Sequence, residues 1–300
     1  AIKKGDSIST QTPAEPNEYS HIHPLLKIFF GQSKLHFKKK ETNLLFNYKN
    51  YEPNLNNIQA SGFLKLGVPH VDDGNFFKDS SFLESYIRCI HIDNTCKMKE
   101  KKFIDVNEFI DVLYTYFKKN NKQLFKQLFK QCSEIIHSFK KNIDDLSYDE
   151  MIDNTYENFF EWLKSDENRD ETYLIPLLKK YCPEHLKKPP SIVIFFNHEK
   201  SEKILMNIHS NTNDITNNQY IFLYRSTITK NDIKIHYYEP LFYRKYSNRL
   251  EKHIEISLFP IVDEDGITTR LNHIIEYIQS VDYNQFSLIQ IFVNIFDKLK

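Results

Sequence analysis

The apolar residues of this chain change their spacing at Pro189–Pro190, and that change limits the folds open to it. Before the prolines the repeat is helical. In Lys122–Phe139, apolar side chains fall at Leu124, Phe125, Leu128, Phe129, Cys132, Ile135, Ile136 and Phe139. That is the i, i+3, i+4 pattern of one buried helix face. Further helices are expected over Ser81–Ile92, Asp105–Lys119, Ser147–Lys164 and Thr172–Cys182. Three of these open on a capping-box pattern, Ser81 with Glu84, Asp105 with Glu108 and Ser147 with Glu150, in which a side chain accepts from an orphan amide and the acid reaches back.

After the prolines the apolar runs are short. Ile192–Phe196 suits a buried strand, and Ile204–Ile208, Tyr220–Tyr224, Ile233–Tyr238 and Ile254–Leu258 follow between Asn-rich turns. Two helical patterns, Arg270–Ile278 and Phe286–Leu299, close the chain. Helices first and strands later predict an α+β fold, a helical N-terminal half packed on a mostly antiparallel sheet from the C-terminal half. Residues 1–60 read as a polar linker or extended arm, and residues 61–300 as a single α+β domain. The polar stretch Ala1–Asn17, with no start Met, suggests a piece of a longer protein.

Aromatics make up 14 % of the 300 residues, enough for a sizeable core, so disorder throughout is not expected. The 40 basic residues equal the 40 acidic ones, whereas a dedicated nucleic-acid binder carries a basic excess. Cys89, Cys96, Cys132 and Cys182 include no closely spaced pair. They read as reduced thiols of a cytosolic compartment rather than as zinc ligands. No apolar run approaches the roughly 18 residues of a membrane span, so no membrane association is expected. The glycine patterns that cradle nucleotide phosphates are absent. Asp72–Asp73–Gly74 reads as a turn, lacking the ligand series of a calcium loop. His21 and His23 share one face of a possible strand without a further ligand nearby in sequence. No cofactor and no metal are expected.

Candidate chemistry centres on Gly67–Val68–Pro69 followed by Asp79–Ser80–Ser81–Phe82–Leu83, small hydroxyl residues at a helix start after an irregular loop. Papain-like cysteine proteases place their nucleophilic Cys at such a position, where the helix N-terminus favours the thiolate. A His on a later strand then acts as base, and His236 is the positional candidate. This chain has Ser80 and Ser81 there and no Cys. A serine gains little from the helix dipole and needs a placed base and an oxyanion hole, and Ser81 with Glu84 also reads simply as a cap. The expectation is a protein without catalysis, with a hydrolase using Ser81 and His236 as the alternative.

A second alternative is nucleic-acid contact. Lys118, Lys122, Lys126 and Lys130 recur every four residues, a row that would track a phosphate backbone or form a solvated helix face. Tyr237, Tyr238, Phe242 and Tyr243 would stack on bases or pack in the core.

Five stretches occur together in order: Leu66–Gly67–Val68–Pro69, Ser81–Phe82–Leu83, Tyr156–Glu157–Asn158–Phe159–Phe160, Ser191–Ile192–Val193–Ile194–Phe195 and Tyr238–Glu239–Pro240–Leu241. As a set they resemble a protease-like domain of very long proteins of nucleocytoplasmic large DNA viruses, over about Gly62 to Tyr243. Within that group the resemblance is to the large-subunit family of the poxvirus-type early transcription factors. It implies a papain-like core with degenerate catalytic residues, serving as a scaffold in an initiation factor. Its partners would be other subunits of a viral transcription or virion complex, with DNA contacted indirectly. Its setting would be the viral factory of the host cytoplasm and the virion. A capsid scaffold segment is a further alternative.

Overall fold

The computed structural model describes residues 13–30, 62–91, 105–182, 186–197, 204–209, 219–259 and 286–287, with short interruptions inside several of these ranges. Its strands are β1 (Tyr19–His21), β2 (Gly62–Leu66), β3 (Val71–Asp72), β4 (Phe77–Lys78), β5 (Ser191–Asn197), β6 (Ile204–His209), β7 (Tyr220–Lys230), β8 (Ile233–Ser247), β9 (Lys252–Ile256) and β10 (Phe286–Ser287). The helices are α1 (Ser81–His91), α2 (Val106–Tyr114) running into a π-helical turn at Thr115–Lys119, α3 (Lys122–Leu128), α4 (Ile136–Phe139), α5 (Tyr148–Lys164) and α6 (Glu171–Leu178). The fold is α+β. Eight strands make one sheet in the order β1-β2-β8-β7-β5-β6-β10, with β9 also paired to β8. Every pairing in it is antiparallel except β5 with β7. β3 and β4 form a separate small hairpin.

The middle of the sheet is buried on both faces, and strand alternation sorts its side chains. Ile192, Ile194, Ile221, Leu223 and Tyr238 join the helical cluster on one face. On the other, Phe63, Phe195 and Phe222 gather around Phe30 and Phe259, with Phe30 stacked on Phe63 at 3.9 Å between centroids. Continuous runs such as Ile192–Phe196 follow from this double burial.

Within the first sixty residues, the described part lies against the sheet. β1 pairs with β2, Tyr19 opposite Leu66, and Ala14, Ile22, Leu26 and Phe30 are buried. The sheet therefore takes β1 and β2 from the N-terminal half rather than drawing only on the C-terminal half. The pattern around β1, which holds the buried Ser20, leaves strand and arm equally open, and β2 goes unrecognised because its apolar run is interrupted by Lys65, which is nevertheless buried.

The helix expected over Lys122–Phe139 breaks in two. α3 stops at Leu128, Lys130 takes a left-handed φ of 47°, and α4 begins at Ile136. The reason lies in the core. Phe125, Phe129 and Phe139 all reach the ring of Phe159 on α5, at centroid distances of 4.9, 5.4 and 5.1 Å. On a straight helix Phe125 and Phe139 would stand roughly 21 Å apart, too far to share one neighbour. The chain turns to wrap three rings around one. At the C-terminus, Phe286–Ser287 pair with β6 as a strand where a helix start was expected. The rest of that segment, and Arg270–Ile278, lie outside the described residues.

Candidate functional site

α1 packs against β8 at its own N-terminus. The Glu84 amide donates to the Ser80 carbonyl at 2.9 Å, so Ser80 is the cap and Ser81 the first helical residue. The capping box expected from Ser81 and Glu84 therefore gives way to other partners. Glu84 pairs with Arg88 one turn on, at 3.0 Å. The Ser81 hydroxyl, fully buried, accepts the Tyr238 amide at 2.9 Å. Ser85 donates to the Tyr238 carbonyl at 3.0 Å.

Register explains this grip. The β2–β8 ladder runs from Gly62 opposite Arg244 to Lys65 opposite Leu241 and stops there. Tyr238 lies beyond it, and a buried backbone group without a partner is costly. Two serines a helical turn apart supply what the next residues of a strand would. The boxes at Asp105 with Glu108 and Ser147 with Glu150 form as expected, each with reciprocal side-chain contacts.

On the helical face of the sheet, α6 begins beside the second half of this arrangement. Its Glu171 carboxylate lies 3.2 Å from Arg225 Nη1 on β7 and 3.6 Å from His236 Nδ1 on β8. Thr227 opposes His236 and Arg225 opposes Tyr238 across the β7–β8 pair, which brings these four side chains to one side. The Arg225 guanidinium covers the Phe196 ring at 4.1 Å. Burial works against the charged form of Glu171, yet the His236 and Tyr238 side chains facing it hold its pKa down to about 2. The Tyr238 hydroxyl is buried beside this carboxylate, outside hydrogen-bond geometry, and burial followed by the Glu171 charge pushes its pKa up. The set comprises an anchored carboxylate, a guanidinium and an imidazole that is 42 % exposed.

The two sequence candidates thus sit at one end of β8 in different surroundings. Ser81 is inside, on the Tyr238 backbone; His236 is at the surface, beside Glu171. Glu171 and Arg225 escaped the sequence reading, since no spacing links a helix start, a strand interior and a second strand. Ser80 stands 3.5 Å from Arg169 Nη1. Arg169 also donates to the Leu163 carbonyl at 2.9 Å and to that of Ser165, closing the C-terminal end of α5.

The lysine row faces α5. Lys118 pairs with Glu157 at 2.6 Å, and Lys122 and Lys126 share Asp153 at 2.9 and 3.1 Å. Lys130 pairs with Glu134 on its own segment. Asp153 on α5 takes both lysines of α3 and Glu157, one turn on, takes Lys118 from the π-helical turn, so the row is largely neutralised in place. Tyr237, Tyr238 and Phe242 are buried in the core, not presented for base stacking. Tyr237 instead clamps Val68, accepting its amide at 3.2 Å and donating to its carbonyl at 2.6 Å. Burial lowers the pKa of His21 to about 4, with Lys27 adding to it, and burial likewise takes His23 to about 4.

Among the described residues there is no group of three or more His, Cys, Asp or Glu able to hold a metal ion. No helix there is long and apolar enough to cross a membrane. Cys89 is a buried thiol outside any disulfide, and the Cys182 thiol donates to the Leu186 carbonyl at 3.3 Å. No family model, curated protein or solved structure matches the chain.

Proposed function

We propose that this chain is a non-catalytic scaffold and interaction domain of a large viral protein, of the early transcription initiation factor type. In this reading the framework is papain-like and the nucleophile position has turned structural. One observation carries it: the Ser81 hydroxyl is fully buried and accepts the Tyr238 amide, so the oxygen at the helix start joins α1 to β8. A serine nucleophile must instead reach solvent-delivered substrate and pass its proton to a base. The pairing of the lysine row with α5 also favours partners other than bare duplex DNA. Those partners are other subunits of a viral transcription or virion complex, met in the viral factory of the host cytoplasm or in the virion.

The hydrolase reading keeps one observation in its favour, the carboxylate of Glu171 behind His236. The two readings part on a direct assay. A fluorophosphonate probe and an activated ester are offered to the wild-type chain and to Ser81→Ala. Scaffolding predicts no labelling and no turnover from either. Labelling of Ser81, or turnover abolished by Ser81→Ala in a folded chain, would overturn the proposal.

A further inference from the structure

Beyond the scaffold reading, a groove of about 590 Å³ opens between α6 and the strands β5, β6 and β7. That volume lies in the range of small-molecule sites. Its chemistry is divided. Leu128, Ile175, Pro176 and Ile194 give it an apolar wall, while Lys179, Lys180, Arg225, His209 and Asn207 bring polar groups to the other side.

The charges do not cancel as they do on α5. Glu171 is the single carboxylate in the lining, and Arg225 and His236 already share it. Among the described residues Lys179 and Lys180 have no carboxylate partner, although the chain as a whole carries no net charge. Burial lowers the Lys179 pKa, and the neighbouring Lys180 adds to this. His209 is held below its ordinary range first by burial and then by Lys179, against the pull of Glu171. The Arg225 Nε, buried, has no hydrogen-bond partner among the described residues. Two like charges side by side, with Arg225 also lining the groove, form a surplus that an anion would relieve.

We infer that the groove between α6 and β5–β7 binds a small phosphorylated organic molecule. The phosphate is received by Lys179, Lys180 and the Arg225 edge, and the organic part lies on Ile175 and Ile194. The apolar wall is what distinguishes this ligand from a free phosphate ion. Asn207, exposed on β6 opposite Ile194, supplies a donor and an acceptor for a polar substituent.

Calorimetric titration of the full chain with phenyl phosphate, inorganic phosphate and benzyl alcohol at low salt tests this. Phenyl phosphate should bind more tightly than inorganic phosphate, and benzyl alcohol should not bind. Lys179→Gln/Lys180→Gln should weaken phenyl phosphate at least roughly tenfold, as expected for lost charge-assisted bonds. Lys122→Gln/Lys126→Gln, which pair with Asp153 on α5 and do not line the groove, should leave it unchanged. Both variants are checked for wild-type circular dichroism, and a single Lys180→Gln serves if the double variant fails to fold. Absence of phenyl phosphate binding, equal affinity for inorganic phosphate, or equal loss in both lysine pairs would overturn the assignment. So would binding of a duplex oligonucleotide alone. None of these outcomes bears on whether Ser81 is a nucleophile.

Discussion

Ser81 and Ser85 divide one residue between them, the first taking the amide of Tyr238 and the second its carbonyl. Removing the donor from a buried carbonyl leaves its desolvation uncompensated, worth about 1–3 kcal/mol. Ser85→Ala should lower unfolding stability by that amount in urea titrations, and Ser81→Ala by a similar one. The double variant should lose less than the two single losses combined, because both act on one contact. Lys130 offers the opposite case. Its left-handed φ of 47° carries a steric cost that glycine avoids, and its ion pair with Glu134 is exposed. Lys130→Gly should raise stability by up to about 1 kcal/mol, read as an upward shift in the thermal midpoint. At this scale the sequence located Ser81 at a helix start but did not reveal its duty. A capping hydroxyl and one that grips a distant strand have the same local signature, and only the end of the β2–β8 ladder separates them.

Secondary elements were legible wherever one periodicity governed burial. α1, α2, α5 and β5–β8 stand where the spacing put them, to within a few residues at most ends, although β7 and β8 extend well beyond their apolar runs. The single helix over Lys122–Phe139 was not, because the break is imposed by Phe159 on another element. Parallel pairing of β5 with β7 was equally invisible, since β6 intervenes in the chain. β1 supplies a test belonging to this level. His21 and His23, in and just after the strand, have pKa values near 4 from burial, below the ordinary 6.5. The folded state thus favours their neutral forms. Their contribution is fully present above about pH 6.5 and is lost as the pH falls toward 4. At pH 5.5 the more buried His23 should cost about 1 kcal/mol relative to pH 7.5, and the less buried His21 less, because solvent screens it. Urea unfolding at both pH values reads this loss, and His21→Gln/His23→Gln should remove most of it. An unchanged loss in that variant would contradict the burial of the pair.

The molecule as a whole is tied by one ionic contact that joins segments far apart in the chain. Glu239 on β8 receives Lys65 of β2 at 2.9 Å and the amide of Ala14 at 2.8 Å, all of it buried. Burial pushes the Glu239 carboxyl up and the Lys65 ammonium down, against their mutual attraction. Glu239→Leu alone should destabilise by roughly 3–5 kcal/mol, whereas Lys65→Met/Glu239→Leu should recover most of that. Nothing in a local sequence window marks this pair, since its members are separated by 174 positions. The helix-to-strand latch at Tyr238 has a further consequence. A strand that outruns its neighbour presents free peptide groups that invite pairing with another molecule. α1 seals β8 at the point where β2 gives out, so the same serines guard this edge, and loosening them should favour swapped or fibrous assemblies.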